Sequence, residues 1–369
     1  MKNAVIICEF NPLHVGHKRL LDSARKAGAE NVFCVMSGSA VQRGELACLD
    51  KYTRAKHAVL AGADVVVELP AEYSLSAAPQ FALGGVKAAN LIKDATLFFG
   101  SECGDISMLE NAAYTLSDPE VNERIKALVK EGAGYPAAVA AATGNDLFSI
   151  SPNNVLGIEY LKAINDTGRK ISAYTVKRES TPDDDAPKGY PTSSSLRKTA
   201  FEGEKIDPCF VPSYVLGDIE KHPLDDTAYF SVIKYILTAQ NASNVYDDTE
   251  GLSNRLRNAA ASSVSFEDFC SSAASKRYTR ARVKRLALNT AINNTFTHKE
   301  LTDKPVSFLN VLAVAKGKED LLSDISVPLA VSRRTRAPFA DEFATTDRAD
   351  KLFAAARYPV GDNTLFVKR

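Results

Sequence analysis

Val5-Ile6-Ile7-Cys8-Glu9-Phe10-Asn11-Pro12-Leu13-His14-Val15-Gly16-His17 is the stretch from which the fold follows. A short apolar run rich in β-branched residues, stopped by Asn-Pro, reads as a buried parallel strand ending in a turn. The spacing of residues 18–27 predicts a helix, which puts His14 and His17 at a strand-to-helix junction. Gly16 has no Cβ, so a bulky group can approach the backbone there, and the N–H groups of a first helical turn suit phosphate oxygens. His14 and His17 can aim further donors at those oxygens and strengthen the bonds as charge builds in a transition state. Asn11 and the main chain of residues 8–10 would line the same mouth.

Outward from this turn the first half alternates strand and helix. Residues 31–36 read as a strand ending in Ser37-Gly38-Ser39, residues 64–69 as one ending in Pro70, and residues 95–99 as one ending in Gly100-Ser101. Between them, residues 50–61 and 74–92 have helical spacing, with Asp50 as a cap. This is the βαβ rhythm of an α/β, doubly wound parallel sheet, which places ligands at the carboxyl ends of its strands. His14, Ser37, Gln42, Arg43 and Gly100 would surround one crevice. Arg43 is either a two-point clamp for a phosphate or carboxylate or a solvated loop arginine. Lys51 and Arg54 face either the cleft or water.

Residues 106–143 are alanine-rich and helical. Residues 151–157 begin another helix in which Asn153 and Asn154 suit the N-cap, one of them with an amide to spare for adenine or ribose. A strand over 170–177 delivers Lys177-Arg178-Glu179, an acidic loop spans 180–190, and Thr192-Ser193-Ser194-Ser195-Leu196-Arg197-Lys198 opens a hydroxyl-rich helix fit for phosphate or simply for a serine cap. After about Pro208 helical spacing dominates, at 224–241, 252–261, 266–274 and 279–292. Lys276, Arg277, Tyr278, Arg280, Arg282, Lys284 and Arg285 put six positive charges and an aromatic within ten residues. Such a face suits an RNA backbone, with Tyr278 stacking on a base, or else is only solvated. Ser332-Arg333-Arg334-Thr335-Arg336 would extend the same surface.

At 369 residues, two domains are expected. Charges balance at 45 against 45, so any nucleic-acid contact must come from local basic patches. No apolar run approaches the ~20 residues of a membrane span, and no secretion signal opens the chain, so a cytosolic protein with no membrane contact is expected. The six cysteines include no C-x-x-C pair, which argues against a zinc site or a disulfide framework. No metal site and no obligate protein partner are indicated.

The H-x-G-H element after a first strand is the signature of the nucleotidyltransferase superfamily. The string EFNPLHVGH, together with MSGSAVQRGE, VVVELP, FFGSECGD, PNNVLGIEYLKA, TVKRE, TSSSLRK and KRYTRARVKR, resembles the tRNA(Met) cytidine acetate ligase family almost end to end. The resemblance implies an ATP-binding catalytic domain over residues 1–206 and a mainly helical tRNA-binding domain over 207–369. It implies activation of acetate as acetyl adenylate, then transfer to N4 of the wobble cytidine of elongator tRNA(Met). Mg²⁺ is expected with ATP because it commonly bridges nucleotide phosphates. His14, His17 and Arg178 would be catalytic. ATP would meet Ile7, Cys8, Glu9, Phe10, Asn11, Pro12, Leu13, His14, Val15, Gly16, His17, Lys18, Arg19 and Leu20. It would also meet Gly100, Asn153, Asn154, Arg178, Glu179, Ser195 and Arg197, with Lys198 beside Arg197 on the outer phosphates. The basic cluster from Lys276 to Arg285 would hold tRNA. Two other readings share the motifs: a small-molecule adenylyltransferase, and a non-catalytic RNA-binding protein with a relict nucleotide fold.

Overall fold

The computed structural model describes residues 1–131, 135–144, 152–168, 170–178, 192–239, 245–248 and 251–369. Strands β1 (Asn3–Cys8), β2 (Asn31–Ser37), β5 (Val65–Leu69), β6 (Ala95–Ser101) and β7 (Ser172–Lys177) run parallel, as the sequence rhythm predicts, and stand in the order β5-β2-β1-β6-β7. A two-stranded hairpin, β3 (Ala40–Val41) and β4 (Glu45–Leu46), stands apart after β2.

Side chains alternate across the sheet, so the strands feed two apolar layers. Val5, Phe33, Val65, Val67 and Leu97 face the helices Ala78–Ala89 and Pro152–Asp166, while Ala4, Ile6, Cys34, Val66 and Phe98 face the helices Val15–Lys26 and Lys51–Ala61. Asp50 caps the latter helix, accepting from the N–H groups of Tyr52 and Thr53. The single helix expected over 74–92 is two, Ala71–Ser74 and Ala78–Ala89. Pro79 lies in the first turn of the second, where a missing N–H costs nothing.

After residue 206 the helices Thr227–Ala239, Leu252–Ser262, Phe266–Ala273 and Arg280–Ala291 fall close to their predicted spans and surround a third core with the helix Ala340–Ala356. Residues 1–206 do not complete the sheet alone, however. Strand β8 (Leu309–Ala315) pairs antiparallel with β5, and β9 (Leu329–Ala330) and β10 (Leu365–Val367) pair parallel with β8. The division at 206/207 therefore marks where helices become dense and leaves part of the sheet on the far side. Tyr73 ties the two stretches, its hydroxyl donating to the carbonyl of Leu301 at 2.9 Å.

Candidate active site at the strand carboxyl ends

Because β1, β2, β6 and β7 are parallel, their carboxyl ends open on one side, and the turn after β1 sits among them. Phe10 takes a left-handed φ of +45°, a strained conformation for a residue with a Cβ, and turns the chain out of the strand. His14 is the N-cap of the helix Val15–Lys26 and His17 lies in its first turn, forming a capping box made of two histidines. The Gly16 N–H donates to His14 Nδ1 at 3.1 Å, and the His14 N–H donates to His17 Nδ1 at 3.3 Å. The rings stack with centroids 3.8 Å apart, and Phe10 meets His17 edge-on.

This arrangement settles the protonation of both rings. Burial, reinforced by the Arg178 guanidinium, lowers His14 to about 4. Burial first, then His14 and Arg178, holds His17 well below the usual imidazole range. Both are neutral near pH 7. Since each Nδ1 accepts from a backbone N–H, the single proton of each ring resides on Nε2. The pair thus offers two Nε2–H donors without carrying charge of its own.

The backbone donors of that helix are less available than the sequence suggests. The Val15 N–H donates to the carbonyl of Phe210 at 2.9 Å, and Gly16 is occupied by His14. The carbonyl of His14 takes the N–H groups of His17 and Lys18. The side chains and the helix dipole, rather than open N–H groups, are what this turn presents to an anion.

Arg178 stands at the end of β7, its N–H donating to the carbonyl of Ser101 at 2.8 Å. Gly100, on β6, makes room for it: a Cβ there would meet Arg178 Cγ at 3.0 Å and Leu20 at 3.8 Å. The structure thus brings His14, His17, Gly100 and Arg178 together. Asn153 joins them, because Arg178 Nη1 donates to Asn153 Oδ1 at 3.0 Å.

The asparagines differ from expectation. The helix starts at Pro152, so Asn153 and Asn154 lie inside its first turn rather than at the cap. Glu102 performs the capping from another loop, accepting from the N–H groups of Asn153 (3.1 Å) and Asn154 (2.7 Å) and from Asn153 Nδ2 (2.7 Å). Asn154 Oδ1 returns the contact, accepting from the N–H groups of Glu102 and Cys103. Asn154 is buried in this latch, and Asn153 is the one whose amide borders the crevice. Sequence reading missed Glu102, because nothing local marks it as the cap of a helix that begins 50 positions on. Glu179 lies outside the described residues.

Ser195 is exposed, and its hydroxyl donates to the carbonyl of Thr192, the cap of the helix Ser193–Phe201. Arg197 is buried and bridges two loops, Nη1 donating to the Asn11 carbonyl at 2.6 Å and Nη2 to Glu45 Oε2 at 2.8 Å. Asn11 Oδ1 accepts from the Cys48 N–H, and its buried Nδ2 has no partner among the described residues. Lys51 and Arg54 face neither cleft nor water. Lys51 Nζ is fully buried between Glu68 (2.8 Å) and Asp350 (2.6 Å), and Arg54 donates to the carbonyls of Glu9, Ser37, Gly38 and Leu49. A lone acid in the apolar run Val65-Val66-Val67-Glu68-Leu69 was the available sign that a buried cation was needed.

The basic cluster is mostly occupied by its neighbours. Arg280 pairs with Glu267 at 2.5 Å, Arg282 with Asp247 at 3.3 Å and Lys284 with Glu45 at 2.6 Å. Tyr278 is 7% exposed, packed in the helical core beneath Arg277 and Arg282, so it is not placed to stack on a base. Lys276, Arg277 and Arg280 are the exposed members. Among the described residues no group of three or more His, Cys, Asp or Glu is arranged to hold a metal, and no helix is long and apolar enough to cross a membrane.

A family model described as HIGH nucleotidyl transferase matches residues 1–361. Curated tRNA(Met) cytidine acetate ligases of Staphylococcus aureus strains MRSA252 and JH9 are 34% identical over 300 residues, 79% of this chain and 79% of each relative. The fold is shared with the crystal structure of apo Thermotoga maritima TmcAL (TM-score 0.88) and with that of the same protein bound with alpha-thio ATP (TM-score 0.84). Both are 23% identical, with complete coverage of both chains.

Proposed function

The chain belongs to the HIGH nucleotidyl transferase family and, within it, to the tRNA(Met) cytidine acetate ligases, and from this we propose that it joins acetate to a tRNA cytidine at the expense of ATP. An acetate oxygen attacks the α-phosphorus of ATP. The bond to the β-phosphate breaks, and pyrophosphate leaves with the electron pair. N4 of the wobble cytidine of elongator tRNA(Met) then attacks the acetyl carbon of the mixed anhydride. AMP leaves, N4 gives up a proton, and N4-acetylcytidine is formed.

The observation that carries this reading is the pair of neutral imidazoles with Nδ1 held by backbone and Nε2–H free to donate, beneath Arg178. Donors preorganised by their backbone bonds act on charge that develops at the α-phosphate and departing oxygens. Arg178 supplies the fixed positive charge, and Gly100 makes room for its side chain against the strand. Mg²⁺ is expected with ATP, because it commonly bridges nucleotide phosphates. Lys276 and Arg277 are assigned to the tRNA backbone because they remain exposed, whereas Arg280 is already paired with Glu267.

The test is mass spectrometry of methionine tRNA incubated with the protein, ATP, Mg²⁺ and isotopically labelled acetate. Labelled acetylcytidine that disappears without ATP is the expected result. Unmodified tRNA with ATP still split would redirect the search to a small-molecule acceptor.

A further inference from the structure

The turn after β6 holds both ends of Arg178. Ser101 is buried, and its carbonyl accepts the Arg178 N–H at 2.8 Å. Its hydroxyl pairs with Thr175 Oγ1 at 2.8 Å and accepts the Gly104 N–H at 3.0 Å. Gly104 takes a φ of +67° and lies so close to β7 that a Cβ there would meet Lys177 Cα at 2.8 Å. Both the φ and the approach call for glycine. The backbone of Arg178 is therefore fixed against residues 101–104 before its side chain is considered.

The side chain is exposed, and an arginine has many rotamers to lose when it is held. Its stem lies over Gly100, and among the described residues Asn153 Oδ1, 3.0 Å from Nη1, is the one hydrogen-bond partner of its guanidinium. An amide can turn its oxygen or its nitrogen to a neighbour, and only the oxygen accepts. Glu102 decides which. Its Oε1 accepts from Asn153 Nδ2 at 2.7 Å, so the amide nitrogen is committed to Glu102 and the oxygen to Arg178. Capping the helix Pro152–Asp166 requires only the bonds from the backbone N–H groups of Asn153 and Asn154. The third bond, to Nδ2, adds nothing to the cap and sets the direction of the amide. Buried Asn154 accepts in turn from the N–H groups of Glu102 and Cys103, which fixes the turn that carries the carboxylate. Arg178 also stands close enough for its charge to act on both histidine rings.

We infer that Glu102 is a positioning residue for nucleotide activation: through Asn153 it aims the Arg178 guanidinium at the phosphates beside His14 and His17. This rests on the reading of Arg178 as the phosphate-binding charge of the ligase, and the experiment keeps the two apart. Affinity for α,β-methylene ATP with Mg²⁺ is measured by equilibrium dialysis, which needs neither acetate nor tRNA. The variants are Glu102→Gln, Asn153→Ala and Arg178→Lys, with each of the first two also combined with Arg178→Lys. Thermal midpoints are taken on all of them, and wild type is assayed for acetate-dependent pyrophosphate exchange into ATP.

Glu102→Gln and Asn153→Ala should each weaken binding about three- to tenfold, the range of one hydrogen bond. Once Arg178→Lys has removed the planar fork that they aim, each should cost at most about twofold. A capping role alone predicts a lower thermal midpoint and the same factor in both backgrounds for Glu102→Gln, and that result would overturn the inference. Unchanged binding in Asn153→Ala would overturn it too. That variant leaves both backbone bonds of Glu102 in place, so it decides the matter if Glu102→Gln does not fold. A wild type that binds the analogue yet shows no acetate-dependent exchange would remove the ligase reading, while the comparison of the two backgrounds would still judge Glu102. A wild type that does not bind the analogue would overturn the aiming of Arg178 at phosphates.

Discussion

At the H-x-G-H turn the backbone occupies the Nδ1 atoms of His14 and His17 and leaves each Nε2–H for whatever enters. On the helix Arg280–Ala291 the arrangement is reversed, with Arg280, Arg282 and Lys284 held by Glu267, Asp247 and Glu45. The first region contains neutral groups that can act, and the second contains charges already compensated. A motif is therefore legible from residue type when local backbone satisfies it, as in the histidine capping box. A charge run is not, because its partners come from distant parts of the sequence: Glu45 is 239 positions from Lys284.

The largest expected effect breaks the first half of this contrast. His17→Ala should lower acetate-dependent pyrophosphate exchange by roughly 10²–10³, the loss typical of one preorganised donor to a transition-state oxygen. Its tRNA affinity, read by filter binding, should be unchanged. Equal loss of both would show that the histidines organise the RNA site as well.

Next, Lys284→Ala should act on stability. Lys284 and Glu45 are 18% and 23% exposed, so removing the cation leaves a largely buried carboxylate with Arg197 alone, at about 1–3 kcal/mol by urea denaturation. Lys276→Ala with Arg277→Ala should leave stability within about 0.5 kcal/mol. These two should instead weaken tRNA binding and flatten its salt dependence by about one unit of slope per lost phosphate contact. If Lys284→Ala weakened tRNA binding more than the exposed pair did, the contrast would collapse.

The smallest effect is in pH. The folded-state value of His14, about 4, lies below its unfolded value near 6.5. Between these values the unfolded chain binds a proton that the native site refuses. The stability contribution is therefore full above pH 6.5 and lost as pH falls toward 4. His14→Gln should flatten the dependence of thermal midpoint on pH in that window. ATP, bringing negative charge to the rings, should shift the same window upward.

Much of the sheet was legible because β1, β2, β5 and β6 are short apolar runs with local stop signals, and Asp50 announced its own helix. Strand β8 was not, since Leu309–Ala315 looks like any apolar segment and only its partner β5 makes it a sheet edge. Lys51, Arg54 and Tyr278 were misread for one reason. Their residue types favour the surface or a ligand, and tertiary contacts from Glu68, Asp350, strand-end carbonyls and the helical core outweighed that preference. The same limit applied to Asn154, whose partner Glu102 sits 52 positions away.

The antiparallel pairing of β8 with β5 also has a meaning during synthesis. Val65 pairs with Val314, so the ribosome must finish most of the polypeptide before β5 acquires its neighbour. At ~5–20 residues per second that interval is on the order of tens of seconds. Throughout it, a nascent chain that already holds the H-x-G-H turn exposes the open hydrogen-bonding edge of an all-apolar valine triplet, the kind of edge that recruits other chains. The crevice can take shape early, but protection of the nascent protein from aggregation depends on its last strands.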